Sequence, residues 1–313
     1  MISLEDVRRA AERIAPYIRP TPLLRARCTK ETPFPDGELL LKLECLQVTG
    51  SFKARGATHK LLSLSREAIR RGIVTASGGN HGLATAYAGW LGQVKTTVFV
   101  PENVSPEKAR KLEAWGAAVV VRGRHWHEAN REALALADRD GLAYFHPFAD
   151  PAVITGQGTT ALEILDQAPE VDELLVAIGG GGLISGISLA VKALRPSVRI
   201  VGVEPTGAAT LFESVKAGQV VELQDITTRV PTLAALRTEP INLEIVQRCV
   251  DEIVLVTDDE MREAARWLWF EMGIAADLSG AASVAALQSG KVQPREGRTV
   301  CALVSGAGSD ALA

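Results

Sequence analysis

The chain has 313 residues, 47% of them hydrophobic, and a formal charge of −3, with a pI near 6.0. That is enough for one large domain or two small ones with a sizeable core. The acidic balance excludes nucleic acid as a main partner, because such a partner demands a basic face.

Ser3 and Asp6 form a capping pair for a helix over roughly residues 4–16. Glu5, Asp6, Arg8 and Arg9 in its first turns leave no apolar core for a signal peptide. From residue 38 onward, short apolar runs alternate with helical patterns. Strands are predicted at 39–43, 73–76, 97–100, 117–121, 174–178, 199–203, 253–256 and 299–304. Helices are predicted near 53–63, 82–91, 106–115, 126–138, 152–166, 183–194, 209–217, 258–272 and 279–288. This alternation is that of a parallel sheet with helices on both faces. Ser105-Pro106-Glu107 marks one helix start, with proline at its first position. The uncharged stretch from Leu174 to Val191 is long enough to cross a membrane, but its glycines divide it into strand, loop and helix, so no membrane partner is expected.

Four segments carry chemistry. In Thr49-Gly50-Ser51-Phe52-Lys53-Ala54-Arg55-Gly56, the lysine stands among small residues and an aromatic. Desolvation there makes it a nucleophilic amine that forms Schiff bases with carbonyl compounds, pyridoxal 5'-phosphate (PLP) above all. Ser77-Gly78-Gly79-Asn80-His81-Gly82 lies between a strand and a helix start. Backbone amides at such a turn suit a carboxylate or a phosphate, although a plain glycine-rich turn reads the same way. Gly179-Gly180-Gly181-Gly182-Leu183 follows another strand. Four glycines let amides converge on one phosphate at a helix N-terminus, and packing alone rarely needs so many. The strand Val300–Val304 ends in Ser305, at the edge where ligands collect in α/β sheets.

Together these segments resemble the fold-type II PLP enzymes, specifically the threonine/serine dehydratase and serine racemase group. The likeness begins at Arg19-Pro20-Thr21-Pro22-Leu23 and runs through Thr155-Gly156-Gln157-Gly158-Thr159, Gly202-Val203-Glu204-Pro205 and Ser279-Gly280-Ala281-Ala282 to the Ser305 strand. It implies two open, twisted parallel-sheet α/β domains with helices on both faces. Residues 1–70 and 148–313 would form the large PLP-binding domain, and 71–147 the small inserted one, with the site in the cleft between them. The resemblance also assigns roles. Lys53 would be the catalytic residue holding PLP, and Phe52 would pack beside the ring. Asn80 would bond the phenolic oxygen, Gly179, Gly180, Gly181, Gly182 and Leu183 would cradle the phosphate, and Ser305 would face the pyridine nitrogen. Ser77, with Gly78, Gly79, Asn80 and His81, would hold the carboxylate of a small amino-acid substrate. A cytoplasmic homodimer releasing ammonia and a 2-keto acid from L-threonine or L-serine by α,β-elimination is the activity implied.

The chain departs from the family at several positions. Gly78 stands where serine racemases place a second base, which disfavours racemisation. Glu204 and Ala208 match part of the family's metal site, but Thr210 replaces an acidic ligand, so no metal is assigned with them alone. Thr232-Leu233-Ala234-Ala235-Leu236-Arg237 lacks the usual Ala-Asp-Gly, and Gly308 replaces a frequent asparagine. An acidic or bulkier substrate such as hydroxyaspartate is therefore the alternative, with Arg237 facing its side chain. A nicotinamide dehydrogenase would use Glu204 as ribose ligand, but Ser185 breaks its glycine fingerprint. A non-catalytic binding protein is the third class, against which Lys53 stands. Cys28, Cys45, Cys249 and Cys301 show no spacing for zinc or redox chemistry and are read as reduced thiols. His125 and His127 should lie on different faces of a helix, as surface residues.

Overall fold

The computed structural model describes residues 2–310. It opens with α1 (Leu4–Ile14), where Ser3 and Asp6 cap each other reciprocally. The chain continues through β1 (Leu23–Arg25), β2 (Glu38–Leu43), α2 (Lys53–Leu62) and α3 (Arg66–Arg71). Next come β3 (Ile73–Ala76), α4 (Asn80–Gly92), β4 (Thr96–Val100), α5 (Pro106–Ala114), β5 (Ala118–Val121), α6 (Trp126–Asp140) and β6 (Ala143–Tyr144). The remainder is α7 (Pro151–Gln167), β7 (Glu173–Ala177), α8 (Gly182–Leu194), β8 (Arg199–Pro205), α9 (Thr210–Ala217), α10 (Pro240–Cys249), β9 (Glu252–Val256), α11 (Asp258–Met272), α12 (Leu278–Gln288) and β10 (Thr299–Val304).

These strands build a six-stranded sheet in the order β1-β2-β10-β7-β8-β9 and a four-stranded sheet in the order β5-β4-β3-β6. Only the β1–β2 pair is antiparallel among the paired strands described. All strands of the smaller sheet fall within residues 73–144. The larger sheet is buried on both faces, as parallel strands require. Leu39, Leu41, Val300, Ala302 and Leu175 point to one core, beside α11 and α12. Leu40, Cys301, Leu303, Leu174 and Val176 point to the other, beside α7 and α8. The period-two alternation of apolar residues explains why both faces are dry.

Glycines set the helix layer. A Cβ on Gly156 of α7 would lie 2.7 Å from Gly56 Cα of α2, and one on Gly158 would lie 2.9 Å from the Gly186 carbonyl of α8. The three backbones therefore approach more closely than side chains allow. Beside the first contact, Arg55 and Glu44 are fully buried. Arg55 donates to both Glu44 oxygens at 2.8 and 2.7 Å and to Glu163 at 2.7 Å. Buried Lys42 joins the cluster through Glu163 (2.7 Å) and the Thr21 carbonyl (2.7 Å).

Most predicted elements are present within a residue or two of their expected ends. The short β1 and β6, together with α3 and α10, were not read from the sequence. The expectation for His125 and His127 is corrected. His125 is extended (φ −127°, ψ 160°) and sits before α6, so only His127 is helical and the two exposed rings stack at 5.6 Å.

Replacing Arg55 with leucine leaves the buried Glu44 carboxylate without its direct ion-pair partner. We expect a loss of roughly 3–5 kcal/mol in urea unfolding, whereas Arg9→Ala, which breaks the exposed Arg9–Asp6 pair, should cost less than about 1 kcal/mol.

Candidate active site

Lys53 opens α2, and Phe52 before it donates its backbone N–H to the Ser305 carbonyl at 3.2 Å. The Lys53 amine donates to the Pro147 carbonyl at 2.6 Å and lies 5.1 Å over the Phe52 ring. It forms no ion pair with a carboxylate among the described residues. Burial alone therefore decides its titration, and the pKa falls from 10.5 to about 8. Two histidines accompany it. His81 is buried, and its Nε2 pairs with the Phe145 carbonyl at 2.9 Å. Burial, then the nearby Lys53 charge, pushes its pKa down to about 3. The same causes, in the same order, lower His146 to about 4.

The Ser77–His81 turn ends β3 and starts α4. Gly79 is the N-cap and offers no side-chain cap, which leaves the first backbone N–H groups for an anion. Ser77 Oγ accepts from the Gly79 N–H at 3.2 Å. A Cβ on Gly82 would collide with the Ser77 carbonyl, while one on Gly78 would meet Val104 Cγ2 at 3.0 Å. Asn80 donates to Asp277 at 3.1 Å. Asp277 in turn accepts from Ser279 and Gly280, and its own N–H reaches the Gly306 carbonyl. Ser305 is buried, with a long 3.4 Å bond to the Ser279 carbonyl. Gly308 lies over the Asp277 backbone, where a Cβ would meet it at 2.8 Å, so there is no room for an asparagine there.

The glycine loop follows β7. Gly181 has φ +99° and caps α8 without a side chain, so Gly182, Leu183 and their neighbours present free N–H groups. Packing, to which the sequence reading gave little weight, also demands these glycines. A Cβ on Gly180 would collide with the Phe148 ring, one on Gly182 would lie 2.6 Å from the Phe148 carbonyl, and one on Gly179 would lie 2.9 Å from the Thr232 carbonyl. Thr232 also turns its methyl to within 4.0 Å of a Cβ placed on Gly79, so it reaches both anion turns.

Lys53, Phe52, Asn80, Ser305 and the two turns are thus brought together by direct contacts or shared neighbours. Glu204 and Ala208 are buried, at the end of β8 and just after it. Both Glu204 oxygens accept from the start of α9, at Leu211 (2.8 Å) and Phe212 (2.7 Å). Burial pushes this carboxyl up to about 8, with those N–H donors pulling it back. Its oxygens are committed to a helix N-terminus, and the Ala208 carbonyl faces the Thr210 hydroxyl at 3.5 Å. Among the described residues, no three His, Cys, Asp or Glu gather to hold a metal ion. Sequence reasoning missed Asp277, His146, Pro147 and Phe148, whose parts are set by tertiary neighbours. The proline in His146-Pro147-Phe148, just before an Asp150-capped helix, was the one available signal.

A family model described as pyridoxal-phosphate dependent enzyme matches residues 14–306. The chain belongs to this family. An L-threonine ammonia-lyase of Thermotoga maritima is 35% identical over 310 residues, 99% of this chain and 76% of that protein. A catabolic L-threonine dehydratase of Staphylococcus aureus is 36% identical over 312 residues, 99% and 90% of the two chains. Among solved structures, maize serine racemase superposes with a TM-score of 0.93 at 31% identity, covering 97% of this chain and 93% of its own. A threonine deaminase of T.th. gives 0.90 at 37%, covering 98% of each. The enzyme is a PLP-dependent lyase of fold type II, and its residues fit that cofactor. A desolvated amine stands between two uncapped helix starts, one of them in a cradle that a single Cβ would fill.

Three outcomes are expected. Borohydride reduction of the holoenzyme should fix a pyridoxyl group on Lys53, and peptide mass mapping that found it on Lys42 or Lys60 would discard the site. Only the neutral amine attacks an aldehyde, so the rate of PLP capture by the apoprotein should climb with pH and level off above about 8. Gly181→Val, strained at its positive φ, should bind PLP at least about 10-fold more weakly. Equal affinity in a titration would mean that the loop only packs.

Proposed function

We propose that the enzyme is an ammonia-lyase that carries out α,β-elimination on L-threonine or L-serine, giving a 2-keto acid and ammonia. The observation that carries this reading is the Lys53 amine. It is held by a carbonyl and no carboxylate, with its pKa near 8, so it can act as a base near neutral pH. Bound PLP supplies the electron sink for an α-carbanion. The chain supplies the rest. Ser77 and the amides of residues 78–81 hold the substrate carboxylate at the uncapped start of α4. The freed Lys53 amine takes the α-proton. Asn80, tethered by Asp277, and the Gly179–Leu183 loop are the groups that would hold the cofactor's two polar ends. Ser305 offers the ring nitrogen a neutral hydroxyl instead of a carboxylate. A bound pyridine nitrogen would then not be held protonated by the protein, a condition that would favour expulsion of a β-hydroxyl over transamination.

The racemase reading draws on the likeness to maize serine racemase. Against it stands Gly78, whose missing side chain borders Val104 and Val100. An aliphatic wall there moves no proton. The acidic-substrate reading relied on Arg237, which instead pairs with Glu239 at 3.5 Å and Glu222 at 3.8 Å. The smaller sheet within residues 73–144 supports an inserted domain at 71–147, with 1–70 and 148–313 as the large one. Four free cysteines support a reducing, cytoplasmic setting. No helix among the described residues is long and apolar enough to cross a membrane. A homodimer is the assembly proposed, after the family resemblance.

L-Threonine and L-serine should release keto acid and ammonia while almost no D-enantiomer accumulates. Lys53→Ala should lose at least about 100-fold in rate. Chiral analysis and keto-acid assay of one timed reaction decide the point. Solvent-proton exchange with inversion in the unmodified enzyme would overturn it. Gly78→Ser alone meets Val104 at once, so weak racemisation is expected only when Val104→Ala accompanies it.

A further inference from the structure

We propose that His146 is a positioning residue of the cofactor site, holding the Pro147 carbonyl on Lys53 and Phe148 against the glycine loop. The inference rests on the PLP reading above. His146 Nδ1 accepts two backbone hydrogen bonds, from Phe148 at 3.2 Å and Ala149 at 2.9 Å. Pro147, between His146 and Phe148, has no N–H of its own. One imidazole therefore takes every donor of the 147–149 turn, as an aspartate or asparagine does in an Asx turn.

The turn touches both ends of the site. The Pro147 carbonyl accepts from Lys53 at 2.6 Å. The Phe148 ring lies against Gly180, its backbone lies against Gly182, and its carbonyl accepts from Asn242 at 3.2 Å. The His146 ring packs edge-on against Phe148 at 4.6 Å and against Tyr144 at 6.0 Å, which fixes its rotamer.

Nδ1 accepts only while it is unprotonated. The charged and titratable groups facing the ring are Lys53, His81, Asp150 and Tyr144. Asp150 is committed to Lys60 and to the start of α7. The Tyr144 hydroxyl donates to Asn130. The His81 ring is paired with Phe145. Burial and the Lys53 charge keep His146 neutral at ordinary pH. Phe148 and Ala149 are only half-buried, so water can replace the imidazole as acceptor. Losing it should therefore disturb the shape of the turn more than the stability of the chain.

The test compares His146→Ala with His146→Asn, whose Oδ1 can accept the same pair of N–H groups. Apoprotein is titrated with PLP, the absorption band of the bound cofactor is recorded, and melting is followed for each protein. We expect His146→Ala to bind PLP about 10-fold more weakly, with a displaced band and near-unchanged apoprotein melting. His146→Asn should return to within about 3-fold of the unmodified affinity. Unchanged affinity and spectrum in His146→Ala would overturn the proposal, as would a His146→Asn protein that folds but binds no better than His146→Ala. Should His146→Ala fail to fold, the affinity of His146→Asn decides alone. An unmodified protein with no cofactor band and no borohydride fixation at Lys53 overturns the PLP reading itself, and this proposal with it.

Discussion

The backbone contact between Gly56 and Gly156 is the constraint on which the site depends. It brings α2 onto α7 at a distance no side chain permits, and Gly158 repeats the arrangement against α8. Three helices are thereby locked in one layer. The start of α2 carries Lys53 and the start of α8 carries the glycine loop. The separation between amine and anion cradle is thus set by two glycine crossings. Arg55, one residue from the crossing, guards the arrangement. A buried guanidinium is tolerable only with its partners in place, and Glu44 and Glu163 meet it from two other segments. A shift of α2 along α7 would break the ion pairs and the glycine contact together.

A second set of contacts ties the smaller sheet to this layer. Asn80, at the start of α4, reaches Asp277, which caps α12. Asp277 also holds Gly306, at the end of β10. Lys53 reaches Pro147, just beyond β6. Both links cross between segments built on different sheets, and both end on residues that face the reacting groups. A movement of one sheet against the other would therefore be felt first at Lys53 and Asn80.

The parallel strands were legible because each is a short apolar run closed by turn residues, with its partners supplied by the βα alternation. β1 and β6, at three and two residues, are too short to show a period, and they form only because a neighbouring strand offers its edge. The four motifs were legible because glycine, lysine and asparagine at turns carry local chemistry. Asp277 was not legible. Its value lies in what it touches, and a capping aspartate looks the same whether or not Asn80 is above it. The tetraglycine loop was half-read, since Phe148, far away in the chain, supplies the steric reason at Gly180. Placing His125 on the helix failed because it is the extended N-cap of α6, which begins at Trp126, while both histidines do lie on the surface.

The electrostatics around Lys53 follow from what is kept away from it. A carboxylate beside the amine would hold its proton and restore an ordinary pKa. Asp277 is turned to Asn80 and to the start of α12, and Asp150 is turned to Lys60. The two histidines beside Lys53 are neutral, and each has a lowered pKa in which the Lys53 charge takes part. The effect is mutual, because a proton on either ring would repel one on the amine. Around pH 7 the pocket therefore contains one amine close to its own titration point and two imidazoles far above theirs. Changing a neighbour from neutral to anionic would hold Lys53 protonated like an ordinary lysine, with every backbone atom in place and no base left.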